Sequence, residues 1–135
     1  MSKAVRKIIQ TNLAPAAIGP YSQGVQINST LYISGQLGID PKTGDFVPGG
    51  VEEQTKQALK NLGAIVEKAG GTHKNVLKTT VLLADMKHFQ QVNAVYKEFF
   101  SERHPARAAY QVAVLPKNGL VEIEAIAHIG PIEEA

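Results

Sequence analysis

The 135-residue sequence contains no cysteine. Disulfides, thiolate nucleophiles and cysteine-ligated zinc or iron–sulfur centres are therefore excluded, and the composition fits a reducing compartment. No apolar run approaches the ~20 residues that a membrane-spanning helix needs. Only four Phe and four Tyr occur, and they form no aromatic pair with basic flanks of the kind that RRM-type RNA binders use. Charge of one sign is scarce too: 14 Lys+Arg stand against 12 Asp+Glu, a net +2. Nucleic-acid binding normally shows as a basic stripe or cluster, so this excess does not indicate it. Acidic residues are missing before Asp40, while Lys3, Arg6 and Lys7 lie near the start. A basic, acid-poor start can be a mitochondrial presequence. "AVRKII" reads better as a short, half-buried strand, because arginine is sparse beyond it.

What is present is an ordinary globular composition, 44% hydrophobic and 19% charged, in a chain long enough for one domain over residues 1–135. Val5 to Ile9 reads as a strand. Asn12 to Gly24 is a loop punctuated by Pro15, Gly19 and Pro20. Val25 and Ile27, then Leu31 and Ile33, alternate around "NST" and predict a hairpin. Ser34 to Gly50 is too rich in Gly and Pro to be regular. Helical spacing of Leu59, Leu62, Ile65, Val66 and Ala69 predicts a helix over 51–69, with Glu52 and Glu53 in its first turn and Gly70-Gly71 at its stop. Val76 to Ala84 reads as a buried strand. Asp85 can cap a second helix whose face is Phe89, Val92, Tyr96 and Phe99. Arg107 to Leu115 and Leu120 to Ile129 are the last strands, separated by "PKNG".

Three strands, helix, strand, helix and two strands make one α+β mixed sheet of about six strands, with both helices on one face. The other face must then be polar or meet another subunit. Because "TTVLLA" is apolar on both sides, association is favoured.

Most catalytic signatures are absent: no G-x-S-x-G elbow, Walker loop, dinucleotide fingerprint or H-E-x-x-H. His73, His88, His104 and His128 share no ligand-like spacing, so no metal is expected. "GQLG", Gly35 to Gly38, has the Gly-x-x-Gly of KH loops, but the flanking strand–loop order is wrong for that fold. There remains "HPARAAYQVAVLPKNGLVEIEAIA", His104 to Ala127. Arg107 stands at a strand mouth beside the small Ala108 and Ala109, with room for an anion in its bidentate fork. A structural salt bridge to a helix carboxylate is the plainer alternative. Glu122 and Glu124 share one side of their strand. Either is a solvated carboxylate, or one holds a water or proton near a bound anion. If the last two strands formed a hairpin around Lys117-Asn118, Glu122 would face Val112, about 16 Å from Arg107 at about 3.3 Å per residue. Either they are no hairpin, or the two groups meet across a subunit boundary.

"PARAAYQVAVLPKNGLVEI" (Pro105 to Ile123) resembles the signature segment of the Rid, or YjgF, family of reactive intermediate deaminases. "AIGPYSQ" (Ala17 to Gln23), "YISGQLGID" (Tyr32 to Asp40), "QTKQALKNL" (Gln54 to Leu62) and "VLKTTVLLADMKHFQQVNAVY" (Val76 to Tyr96) are similar to its other segments, in order along the chain. The animal members are the nearest in kind. The resemblance implies a chorismate-mutase-like fold, assembled as a homotrimer whose sheets line a central barrel, with sites between subunits. It implies cofactor-free hydrolysis of 2-aminoacrylate/2-iminopropanoate and 2-iminobutanoate to 2-keto acids and ammonia. Carried over, Arg107 clamps the substrate carboxylate and Glu122 positions water, while Glu124 is structural. Tyr21, Ser34 and Gly35 line the cleft, and the backbone N–H of Ala109 donates to substrate where many bacterial members have a cysteine. A cytoplasmic protein, with a mitochondrial or nuclear pool open, is the corresponding location. An RNA-cleaving inhibitor of translation, or a trimer that binds metabolites or unfolded clients without catalysis, are the competing readings.

Overall fold

The computed structural model describes residues 2–135. Among them six strands and two α-helices follow the order β1 (Arg6–Ile9), β2 (Gly24–Ile27), β3 (Thr30–Leu37), α1 (Val51–Lys68), β4 (Val76–Leu83), α2 (Phe89–Phe99), β5 (Ala106–Gln111) and β6 (Val121–His128). They form one sheet in the order β1-β2-β3-β6-β4-β5. Only β4 and β5 pair in parallel, joined by the α2 crossover; every other neighbour is antiparallel. The last strand therefore slots into the middle of the sheet, between β3 and β4.

Both helices cover one face, as the pattern predicts. Helix α1 buries Leu59, Leu62, Ile65 and Val66 completely against Leu31, Val81, Leu83, Val121 and Ile123 of the sheet. Gly50, at φ +84, begins α1 without a side-chain cap, so Glu52 and Glu53 oppose the exposed amide dipoles of the first turn. At its end, Gly70 in the left-handed region lets two backbone bonds close a Schellman turn: Gly70 N–H to Glu67 O and Gly71 N–H to Val66 O. Gly38 lets β3 run into α1 at close range, since a Cβ there would stand 2.4 Å from the Gln54 Cα.

The uncovered face is mixed rather than apolar. Tyr32, Ile126, Leu82 and Tyr110 share it with Lys78, Thr80, Glu122 and Glu124, as the cross-strand registers require. Three expectations need correction. The strand expected over 107–115 ends at Gln111, because its partner β4 ends at Leu83; Val112 N–H makes the last link, to Leu83 O, at 3.0 Å. The chain then leaves the sheet for a turn at Pro116–Asn118, with Lys117 and Asn118 both left-handed (φ 55 and 59), and returns between β3 and β4. Asp85 caps a short 3₁₀ turn, Met86–His88, by accepting from Lys87 N–H at 2.9 Å, and α2 starts only after it. Finally, β1 buries Ile9 alone; as an edge strand it leaves Ile8 59% exposed.

Candidate active site

Arg107 is the second residue of β5 and stands opposite Thr79 of β4. Thr79 faces the helices, where its hydroxyl pairs with the Tyr96 hydroxyl at 2.7 Å. Arg107 leaves the sheet on that same side. Its Nη1 donates to Asn93 Oδ1 of α2 at 2.7 Å, and its guanidinium carbon lies 4.8 Å from the Tyr96 ring centroid and 5.7 Å from that of Phe89. The salt bridge considered from sequence does not form: among the described residues the ion pairs involve Lys56 and Arg103, and none involves Arg107. An exposed, permanently charged fork is thus held by neutral groups. Nearby, Ala109 is half-buried. Alternate residues of a strand turn their N–H groups to opposite sides. As Val112 bonds inward to β4, Ala109 N–H turns to the free edge of β5, the edge that Arg107 N–H also faces.

Glu122 belongs to central strand β6, between Leu37 of β3 and Leu82 of β4, on the uncovered face. Burial, and then the charge of Glu124, hold its carboxyl above the ordinary value of 4.5. Glu124 itself is exposed. The Glu122 carboxyl presses on Gly35 so closely that a Cβ at Gly35 would meet its Cδ at 2.8 Å and Cγ at 3.0 Å.

Ser34 and Gly35, taken from sequence as loop residues, lie instead within β3 at an irregularity where the β3–β6 register shifts between Ile33 and Gln36. The bulge bends the strand and opens the sheet surface beside Glu122. The loop from Thr11 to Ser22 is stitched over this point. Ser34 Oγ donates to Ser22 O at 2.5 Å, and Ser34 N–H to Gln23 O at 2.9 Å. The Gln23 amide, 3% exposed, accepts from Thr11 N–H at 2.7 Å and donates to the carbonyls of Thr11, Ala14 and Pro15. Tyr21 N–H closes a turn onto Gly19 O at 2.8 Å and leaves its ring half-exposed.

Tyr21, Ser34, Gly35 and Glu122 consequently share one open cleft of about 610 Å³, with Leu37 and Lys117 also on its walls. Arg107 and Ala109 lie outside it. The structure thus brings four of the six sequence-predicted positions together and sets the other two apart, on an edge strand. Of the two alternatives left open by the sequence, the first holds: the last two strands are no hairpin, since β5 pairs only with β4 and β6 lies between β3 and β4. Asn93, Tyr96, Gln23 and Gln54, whose Oε1 accepts from Leu120 N–H at 3.0 Å to start β6, were not foreseen. One signal was available: Gln54 and Asn61 interrupt the apolar stripe of α1 seven residues apart, and a polar residue on a buried face needs a partner. Among the described residues no cluster of metal-ligating side chains occurs, and no helix is long and apolar enough to cross a membrane.

The six-stranded mixed sheet with two covering helices is that of a known class. The chain belongs to the Endoribonuclease L-PSP family, whose model matches residues 11–129. It is 62% identical, over 135 residues and the full length of both chains, to the mouse protein named 2-iminobutanoate/2-iminopropanoate deaminase. Among solved structures, the YjgF gene product of E. coli superposes with a TM-score of 0.87 at 48% identity, covering 90% of this chain and 98% of that one. E. coli TdcF with bound serine superposes with a TM-score of 0.88 at 45% identity, covering 92% and 99%. The Rid/YjgF resemblance read from the sequence is borne out.

Proposed function

We propose that this chain, acting as one domain over residues 1–135, hydrolyses 2-iminobutanoate and 2-iminopropanoate, with its enamine tautomer 2-aminoacrylate, to 2-keto acids and ammonia. The observation that carries the reading is the Arg107 guanidinium, fixed in direction but unpaired with any carboxylate. Such a fork suits the planar carboxylate of a small acid. The mouse relative's name supplies the substrate class.

Water adds through its oxygen to the imine carbon, and Glu122, as carboxylate, takes one of its protons. Glu122 passes that proton to the nitrogen, giving the carbinolamine. The hydroxyl proton then moves through Glu122 to the amino group, the C–N bond breaks, ammonia leaves, and the keto oxygen remains. A carboxyl whose pKa is raised by burial is matched to this give-and-take. An imine carbon is already electrophilic, so holding water and substrate together supplies most of the acceleration required. Tyr21, Ser34 and Gly35 shape the cleft around the imine, and Ala109 N–H donates to the substrate beside Arg107.

The assembly that suits this chemistry is a homotrimer whose uncovered sheet faces line a central barrel. Each site then takes Arg107 and Ala109 from one protomer and the Glu122 cleft from its neighbour. That E. coli TdcF has been solved with bound serine supports a small, carboxylate-bearing ligand. The cysteine-free composition is in keeping with a cytoplasmic location.

The test generates 2-iminobutanoate with an amino-acid oxidase and follows 2-oxobutanoate formation. The native protein should accelerate it, while Arg107→Ala and Glu122→Gln should each lose about 10²-fold or more. Equal acceleration by all three sinks the reading. The family's descriptive name favours a second activity, RNA cleavage. Were it the main one, RNA binding would weaken steeply with salt and persist in Arg107→Ala.

A further inference from the structure

The strongest unassigned feature outside the cleft is the surface beneath Arg107. An arginine at an exposed strand edge ordinarily sweeps through many rotamers, and ordering it costs conformational entropy each time a ligand binds. Here the side chain is already seated. Its guanidinium carbon lies over the rings of Tyr96 and Phe89, and Asn93 takes up one of its five N–H donors. Tyr96 is itself fixed: it is 5% exposed, bonded to Thr79 at 2.7 Å, and packed at a tilt against Phe100 with ring centroids 4.8 Å apart. Thr79 in turn stands directly beside Arg107 in the β4–β5 register. The strand that carries the guanidinium and the ring that seats it are therefore referenced to the same residue.

The choice of seat has a chemical consequence. A carboxylate in its place would occupy the bidentate fork and cancel the charge offered to an incoming acid. Aromatic faces hold the cation through the ring quadrupole and bind no N–H donor. We infer that Tyr96, assisted by Phe89, is a positioning residue for carboxylate recognition: its ring pre-orients Arg107 and leaves its charge and four remaining donors free for the 2-imino acid. Removing the ring should therefore weaken acid binding and spare the chemical step, because Glu122 and its cleft do not touch this seat. The inference rests on Arg107 being the carboxylate clamp.

The experiment measures the affinity for 2-oxobutanoate by calorimetry, together with KM and kcat for 2-iminobutanoate, in Tyr96→Leu, Tyr96→Phe, Phe89→Leu and Arg107→Ala. Tyr96→Leu should weaken 2-oxobutanoate binding about tenfold and raise KM to match, with kcat changed less than KM. Tyr96→Phe keeps a ring and loses only the bond to Thr79, so it should recover most of that affinity. Phe89→Leu, at a half-buried position, should weaken binding about twofold to threefold. Equal losses in the Leu and Phe variants at position 96, or a fall in kcat at unchanged KM, overturn the inference. Should Tyr96→Leu fail to fold, unaltered affinity in Phe89→Leu overturns it instead. Arg107→Ala separates the two ideas: undiminished binding there sinks the clamp and the seat together, whereas weak binding there with tight binding in both Tyr96→Leu and Phe89→Leu sinks the seat alone.

Discussion

Arg107 and Glu122 leave one sheet from opposite faces. Arg107 reaches the α2 side beside Thr79, and Glu122 the uncovered side beside Leu82. They are three residue rows and two strand spacings apart, about 10 Å along the strands and about 10 Å across them. No small acid spans that gap within one chain. Mixing the two inactive variants, Arg107→Ala and Glu122→Gln, in co-refolded oligomers should then restore activity, since random assembly gives about a quarter of the shared sites an intact arginine and an intact glutamate. Keto-acid formation by the mixture, compared with each variant alone, is the readout. A mixture as inactive as its parents would place both groups in one protomer's site and remove the argument for a shared one.

The raised carboxyl of Glu122 has a sign that can be followed. Its pKa when folded lies above that of the unfolded chain, so the folded state holds the proton more tightly, and stability is lost as pH rises through the folded pKa. Glu122→Gln should therefore be more heat-stable than the native protein at neutral pH, with the advantage shrinking toward pH 4, while activity is lost. Activity needs the carboxylate and should fall as acid protonates it. Removing the neighbouring charge with Glu124→Gln lowers the Glu122 pKa, so the acid limb of kcat/KM should move to lower pH. An unmoved limb would mean that another group titrates there.

Two glycines three residues apart, Gly35 within β3 and Gly38 just past its end, should fail in different ways. A methyl group at Gly35 meets the end of a half-exposed side chain, the Glu122 carboxyl, which can swing aside. Gly35→Ala should keep its melting temperature and lose about 10²-fold in kcat through misplacement of the base. At Gly38 the obstacle is the Gln54 backbone of α1, which cannot yield. Gly38→Ala should cost about 1–3 kcal/mol of stability. Thermal melts and turnover, measured side by side, check both; a stable but inactive Gly38→Ala would contradict the packing argument.

Much of this frame is legible from periodicity. The spacing of Leu59, Leu62, Ile65 and Val66 dictates α1, and the Gly70-Gly71 pair its end, because both are local properties of the chain. Residue type alone likewise draws attention to Arg107 and Glu122. What periodicity cannot contain is the order of strands. Nothing within "LVEIEAIA" says that it will enter between β3 and β4, and so nothing local says that Glu122 will be central and half-buried. The seat of Arg107 is hidden for the same reason, since Asn93 and Tyr96 meet it only after α2 has crossed over. Gln23, in a run of loop residues, looks solvated until the loop folds around it.

That glutamine permits a last test, of how the cleft's outer wall is held. The Gln23 amide satisfies Thr11 N–H and three carbonyls of a loop with little else to anchor it, since Ala14 is its one deeply buried apolar side chain. Gln23→Leu fills the space but leaves those groups unpaired, at a cost of about 1–3 kcal/mol unless the loop lifts off into water. Lifting carries Tyr21 away from Glu122 and frees Ser34 from the Ser22 carbonyl. The expected outcome is faster amide hydrogen exchange at Thr11 and Ser34 and a raised KM, with α1 and β4 protected as before. Exchange unchanged at Thr11 would show that the loop is held by its own backbone, and the role given to Gln23 would fall.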